Sequence, residues 1–139
     1  MKINMVSNRV LRLLIAEPEI LSEAVEDEVD DRVDRGHANF TTKVDFEADF
    51  FYVVFDLTLR TKEDNRVINV VYRSEFKTDN PIDSEFRKTD FPYVNAPAIA
   101  YPYLRAFVSN LTLNSGYSPV MLPSVNFVAM KDRVIRPDE

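Results

Sequence analysis

Cysteine and tryptophan are absent from this 139-residue sequence, which also has only two glycines and one histidine. Without cysteine the chain can form neither a disulfide framework nor a thiolate metal site, and a single histidine leaves metal binding to carboxylates. Two glycines are too few for a glycine-rich phosphate loop or a dinucleotide-binding fingerprint. We therefore expect no cofactor and no nucleotide chemistry.

The sequence also lacks an excess of basic residues and a long apolar run. Its formal net charge of −6 argues against nucleic-acid binding, because neutralising phosphates requires a basic face. Residues 10–16 form the longest apolar run near the start, but Arg12 interrupts it, and it is too short for a signal-peptide core or a membrane span. We therefore expect a cytoplasmic protein without membrane insertion, folded as a single domain over residues 1–139.

Alternation of apolar and polar residues predicts four β-strands, at residues 9–16, 40–47, 51–60 and 68–76. The last three strands are joined by short connections, so we expect them to form an antiparallel meander. In the first strand, Leu11, Leu13 and Ile15 are expected to share one face. In the other three strands the residues expected to share the main apolar face are Phe40, Thr42, Val44 and Phe46, then Phe51, Val53, Phe55, Leu57 and Leu59, and finally Ile68, Val70, Tyr72 and Phe76.

Residues 19–35 are strongly acidic and carry an apolar residue at every fourth position. This pattern fits an acidic amphipathic helix and fits equally well a solvated, partly ordered connection. Gly36 would end either structure. His37 follows without a serine or cysteine motif or a placed carboxylate, so we interpret it as an exposed loop residue rather than a catalytic base. The sequence predicts no enzyme active site.

Two helices are predicted in the last third of the chain. After a proline-containing loop, residues 77–94, Asn95 is the expected N-cap of a helix that ends at Gly116, and Pro102 is expected to kink it or delay its start. A second loop, residues 117–124, leads to a short helix over residues 125–135 with Ser124 as its N-cap.

Residues 96–130 contain three distinctive motifs: Pro97, Ile99, Tyr101-Pro102-Tyr103 and Arg105; Gly116-Tyr117-Ser118-Pro119; and Val125-Asn126-Phe127. Through these motifs the segment resembles the SecB family of protein-export chaperones. Leu122-Pro123-Ser124 departs from the family pattern because its proline lies one residue early. The order of strands and helices agrees with the family as well.

This resemblance implies an α+β fold with a four-stranded antiparallel sheet, meander or Greek-key-like, and with a long helix and a short second helix on one face. It implies a homotetramer or homodimer that holds unfolded or precursor polypeptides in an aromatic cleft without ATP and passes them to the motor SecA. The chain ends soon after Phe127, so we expect a shortened second helix and leave engagement of SecA open. Residues 19–35 replace the crossover loop that walls the family's groove.

The candidate residues fall into two groups. Tyr117, Met121 and Phe127 lie in or beside a proline-interrupted loop, where packing is less obligatory. Together with the resemblance, they indicate a polypeptide-binding site formed by Phe40, Tyr117, Met121, Leu122 and Phe127. Apolar residues also spread around the long helix beyond one sheet contact, which predicts an oligomer interface at Tyr103, Leu104, Phe107, Val108 and Leu111.

Three functions remain open from the sequence. The first is a general holdase that feeds protein export. The second is a dedicated chaperone or regulatory partner of one protein, such as an antitoxin. The third is a domain that binds a small molecule or lipid on the same fold, for which the sequence offers no set of residues.

Overall fold

The computed structural model describes residues 2–19 and 39–137. In this part of the chain four strands form one antiparallel sheet: β1 (Ile3–Ala16), β2 (Asn39–Phe46), β3 (Phe50–Arg60) and β4 (Val67–Thr78). Their spatial order is β1-β4-β3-β2. The predicted meander of β2, β3 and β4 is confirmed. The last strand, β4, also pairs with the first strand, β1, which gives a Greek-key-like order.

The alternation along β3 determines which face of the sheet is buried. Its odd-numbered residues from 51 to 59 are buried and its even-numbered residues are partly exposed. Pairing extends the buried face to the neighbouring strands, because Phe55 lies opposite Thr42 of β2 and Tyr72 of β4. The core-facing residues predicted for these three strands therefore share one face, as expected.

β1 differs from the other strands because it contains two β-bulges. One lies between Met5 and Ser7 and the other between Val10 and Arg12. A bulge places an additional residue in one strand of a pair, so the alternation of side chains between the two faces reverses there. The core-facing positions of β1 therefore change from odd to even numbers and then back to odd numbers.

The sequence-based prediction for β1 is partly wrong. The strand starts at Ile3 rather than Arg9. Leu13 and Ile15 share a face as predicted, although Leu13 is 43% exposed, whereas Leu11 falls in the second bulge and is skipped in the pairing with β4. The two bulges interrupt the period of two on which the prediction depends, which explains both errors.

The long helix α1 (Ala96–Asn114) is confirmed, and Pro102 lies within it without delaying its start. A π-helical turn (Phe91–Asn95) leads directly into α1, and Asn95 has helical backbone angles, so it continues this turn instead of capping the helix as predicted. Gly116 follows the end of α1 with φ +91°, as the sequence indicated. One stripe of the helix is buried against the sheet: Ala96, Pro97, Ala100, Tyr101, Leu104, Val108 and Thr112.

The predicted short helix over residues 125–135 is wrong. The chain there forms turns and a 3₁₀ turn (Lys131–Arg133), and Ile135 then pairs in parallel with β2. The N–H of Val44 donates to the carbonyl of Ile135 at 3.0 Å, and the N–H of Ile135 donates to the carbonyl of Thr42 at 2.8 Å. These main-chain bonds need an extended backbone at Ile135, which is incompatible with a helix that reaches this residue.

The predictions for residues 20–35, Gly36 and His37 concern a segment that lies outside the described residues. Within the described part of the chain, no helix combines the length and the apolar character needed to cross a bilayer.

Candidate polypeptide-binding site

Residues 117–124, here called the central loop, lie between α1 and the turn that joins β3 to β4. The main chain of the loop is tied to both neighbours. The N–H of Ser118 donates to Oδ2 of Asp64 in the β3–β4 turn at 3.0 Å. The N–H of Val120 donates to Oγ1 of the buried Thr112 in α1 at 2.9 Å. The loop is therefore held in one position relative to helix and sheet.

Tyr101 of α1 forms a third tie to the central loop. Its hydroxyl donates to the carbonyl of Pro123 at 2.6 Å. Burial raises the pKa of Tyr101, and the opposing effect of Arg105 is smaller. The phenol therefore stays protonated, and available as a donor, through the neutral pH range.

The ring of Tyr101 belongs to a cluster of four aromatic side chains, here called the aromatic floor: Phe40, Phe55, Tyr101 and Phe127. Phe40 stacks on Phe55 at a centroid distance of 5.3 Å and meets Tyr101 edge-on at 5.6 Å. Phe127 meets Tyr101 edge-on at 5.6 Å and is tilted on Phe55 at 6.1 Å. Three elements of the fold, β2, β3 and α1, meet the C-terminal segment in this cluster.

Three open grooves surround the central loop. The central groove, about 460 Å³, lies between residues 118–123 and residues 59–64, which form the end of β3 and the start of the β3–β4 turn. The helix-side groove, about 360 Å³, lies between α1 and the loop. Met121 and Leu122 line both of these grooves, so the loop forms the ridge between them.

The strand-side groove, about 420 Å³, lies on the other side of the loop. It is lined by Asn39, Phe40, Thr41, Thr42, Pro123, Met130, Arg133 and Val134. Pro123 also lines the central groove, so the three grooves adjoin one another along the loop. Phe40 connects the strand-side groove to the aromatic floor beneath it.

The five residues predicted to bind polypeptide have different surroundings. Met121 is 74% exposed on the ridge of the loop, and Phe40 and Leu122 line grooves. Tyr117 is partly buried, and the guanidinium of Arg66 lies 5.9 Å from its ring centre.

Leu122 and Phe127 both need a correction, because each is only 5% exposed. Phe127 lies within the aromatic floor. In this structure it supports the site from below and does not offer its ring to a bound chain.

Two of the five predicted interface residues also need a correction. Leu104 and Val108 are fully buried, because they belong to the stripe of α1 that packs on the sheet. Phe107 and Leu111 are partly exposed, and the ring of Phe107 packs on Tyr72 of β4 at 5.8 Å. Of the predicted set, only Tyr103 is largely exposed, so it remains the strongest candidate for contact with a second copy of the chain.

The sequence did not point to several residues that shape the site. The β3–β4 turn supplies one wall of the central groove, and the C-terminal residues Met130 and Val134 supply one wall of the strand-side groove. These walls are separated from the central loop along the chain, and no local pattern predicts that they approach it. Met130 and Val134 lie close to β2 because Ile135 pairs with that strand. The sequence predicted a helix at Ile135, so it did not predict this pairing.

Comparison with known sequences identifies one family. The family model described as preprotein translocase subunit SecB matches residues 14–135. A protein-export protein SecB from Neisseria meningitidis is 30% identical over 121 residues, covering 81% of this chain and 74% of the relative. SecB from Bartonella bacilliformis is 24% identical over 94 residues, covering 66% and 58%.

A shorter match, 42% identical over 40 residues, covers 29% of this chain and 26% of an uncharacterized protein from Methanocaldococcus jannaschii. The chain spans between about a quarter and three fifths of the length of several curated relatives it matches.

Solved structures share the fold at low sequence identity. A SecB-like chaperone from Mycobacterium tuberculosis, in complex with a peptide from the HigA1 antitoxin, has a TM-score of 0.60 and 18% identity, covering 88% of this chain and 89% of that one. A protein of unknown function from Streptococcus agalactiae has a TM-score of 0.51 and 15% identity, covering 89% and 98%. The four-stranded sheet with a long helix is thus an established fold.

Proposed function

Because this chain belongs to the SecB family, we propose that it is a non-catalytic chaperone of the cytoplasm, which holds unfolded or precursor polypeptides without ATP. The bound segment lies in the grooves around the central loop. Transfer of the client to SecA is part of this proposal if the protein serves export.

The observation that carries the proposal is the combination of exposed apolar side chains and open grooves around a loop fixed by hydrogen bonds. Met121 leaves 74% of its surface in solvent on the ridge that two grooves share. A flexible methionine adapts to many apolar partners, and the tied main chain of the loop keeps the grooves open. Such a surface suits extended chains of varied sequence better than one small molecule of fixed shape.

An aggregation assay tests this function. A chemically denatured enzyme is diluted into buffer with or without this protein, and light scattering is followed without nucleotide. We expect stoichiometric protein to suppress scattering, and Met121→Glu to weaken client affinity by about 1–2 kcal/mol, because a carboxylate on the ridge opposes apolar contact.

Val128→Glu is the matched control, since Val128 is 70% exposed and lies outside the three grooves. Full client aggregation at excess wild-type protein would contradict the holdase function. Equal effects of the two substitutions would place the client elsewhere on the molecule.

A dedicated chaperone of one partner is the second candidate. It is favoured by the fold shared with the M. tuberculosis chaperone that was solved with an antitoxin peptide. Affinity purification from the source cell distinguishes the two functions. A single partner at fixed stoichiometry supports the dedicated chaperone, and many precursor proteins support the general holdase.

A further inference from the structure

The edge of β2 that faces away from β3 runs along the strand-side groove, and among the described residues only Ile135 pairs with it. In an antiparallel ladder, successive residues direct their main-chain groups alternately toward and away from the neighbouring strand. Thr42 and Val44 bond to Ile135 on the side away from β3, so Phe40 directs its N–H and carbonyl to that side as well. Ile135 uses only the carbonyl of Thr42 and the N–H of Val44.

Three main-chain groups are therefore available next to Ile135: the N–H and carbonyl of Phe40 and the N–H of Thr42. No bond from described residues reaches them. They follow one another at the spacing of a strand edge, which is the arrangement that an added strand requires.

The side chain of Thr42 adds an independent observation. The residue is 4% exposed, and its Oγ1 is buried without a hydrogen-bond partner among the described residues. Thr42 lines the strand-side groove, so this residue lies beside the same open space as the outer edge of β2. Buried hydroxyls without a partner are rare because their desolvation is not compensated, and a missing binding partner is one explanation for such a group.

The walls of the groove indicate what else the occupant presents. Apolar surface comes from Phe40, Pro123, Met130 and Val134. A space of about 420 Å³ accommodates one or two large side chains and is too small for a folded element. The pairing of Ile135 with β2 further demonstrates that this edge accepts a chain in extended conformation.

We propose that a client segment adds to β2 as an extended strand beside Ile135, with its main chain bonded to Phe40 and Thr42 and one apolar side chain in the strand-side groove. This inference rests on the proposed chaperone function and specifies its binding mode. A polar main-chain group of the client completes the hydrogen bonding of the Thr42 hydroxyl. Recognition through the main chain selects extended, proline-free apolar segments and tolerates many sequences.

Backbone methylation of a peptide tests the mode of binding. The probe is a fluorescent peptide of about nine residues, with alternating valine and phenylalanine between lysine ends, and two further versions carry N-methyl groups on either the odd or the even residues. Strand addition uses the N–H groups of one alternate set only, so we expect one version to lose affinity about tenfold and the other to bind like the parent. Equal affinities of the two versions would overturn strand addition.

Substitutions at Thr42 test the same proposal from the side of the protein. Thr42→Val keeps the shape and removes the hydroxyl, so we expect unchanged or higher thermal stability together with about fivefold weaker binding of the peptide. Thr42→Ser retains the hydroxyl and should retain the affinity. Lys43→Gln, at an exposed position of the same strand that does not line the strand-side groove, is the control.

If Thr42→Val binds the peptide like wild type, the hydroxyl has no part in recognition and the inference fails. The chaperone function would still stand in that case, provided that the protein suppresses aggregation. Failure of both the parent peptide and the aggregation assay would instead contradict the function itself.

Discussion

Tyr101 links the helix, the aromatic floor and the central loop through one side chain. Its ring packs among phenylalanines, while its hydroxyl bonds to the carbonyl of Pro123, 22 residues further along the chain. The sequence predicted Tyr101 within the helix as part of an aromatic-proline-tyrosine step. The acceptor of its hydroxyl carries no sequence signal, because any residue of the loop offers a carbonyl.

We expect Tyr101→Phe to lower the free energy of unfolding by about 1 kcal/mol, because a buried donor is removed and the carbonyl of Pro123 loses its partner. Client affinity should fall as well, since the loop loses one of its ties. Urea denaturation and fluorescence titration with a client measure the two effects. Tyr103→Phe, at an exposed tyrosine of the same helix, should change neither quantity, and a similar loss there would argue against the role of the bond.

At the scale of elements, the regular strands were predictable and the irregular segments were not. β3 alternates without interruption from Phe50 to Arg60, and its period of two is visible in the sequence alone. In β1 the two bulges interrupt this period of two, so the sequence does not show it over the whole strand. The C-terminal segment was predicted as a helix, whereas Ile135 pairs with β2, which no local pattern around Ile135 indicates.

The same reasoning applies to the candidate site. Met121 and the central loop could be identified from proline, methionine and aromatic residues close together in sequence. The burial of Phe127 and Leu104 could not, because it depends on which side of each segment faces the sheet. The burial of the residues that the sequence assigned wrongly is therefore determined by packing between segments that are distant along the chain.

The end of α1 offers a test of how firmly the central loop is positioned. The N–H of Tyr117 donates to the carbonyl of Thr112 at 3.0 Å, and the N–H of Gly116 donates to the carbonyl of Leu113 at 3.2 Å, which is the Schellman pattern. Gly116 adopts φ +91°, and a Cβ atom there would meet nothing within 4 Å. Any cost of a side chain at Gly116 is therefore a backbone cost.

We expect Gly116→Ala to reduce the free energy of unfolding by about 1–2 kcal/mol through this left-handed backbone alone. Ser115→Ala is the matched control, because Ser115 has a φ of −90° that alanine adopts readily. Chemical denaturation of both variants provides the comparison. A Gly116→Ala protein as stable as the control would mean that the helix end rearranges without cost.

At the scale of the whole molecule, apolar side chains remain exposed on the outer side of α1 and along β1. Ile99, Tyr103 and Leu113 are exposed on the helix, and Val6 and Leu11 are exposed on the strand. Tyr52, Val54 and Val71 are partly exposed on the sheet face opposite the core. Soluble proteins commonly cover such surfaces by symmetric association.

We therefore expect a homotetramer, with a stable homodimer as the alternative, and we expect Tyr103→Glu to shift the population to a smaller species. Tyr103 is 50% exposed, so a charge at this position should disturb an interface without unfolding the chain. Light scattering coupled to gel filtration at micromolar concentration measures the mass. Ala98→Glu, at an exposed position on another side of α1, should leave the mass unchanged. A monomeric wild type would contradict the expected assembly.

The two bulges of β1 have a consequence for how this strand changes length among relatives. Val6 and Leu11 are the residues that the pairing with β4 skips. Removing either residue would restore the alternation at its own bulge and leave each core-facing side chain opposite its present partner, so these two positions behave like one-residue insertions in β1. Alignment gaps in β1 should therefore concentrate at Val6 and Leu11. A one-residue gap elsewhere in the strand would move the side chains on one side of the gap to the opposite face of the sheet.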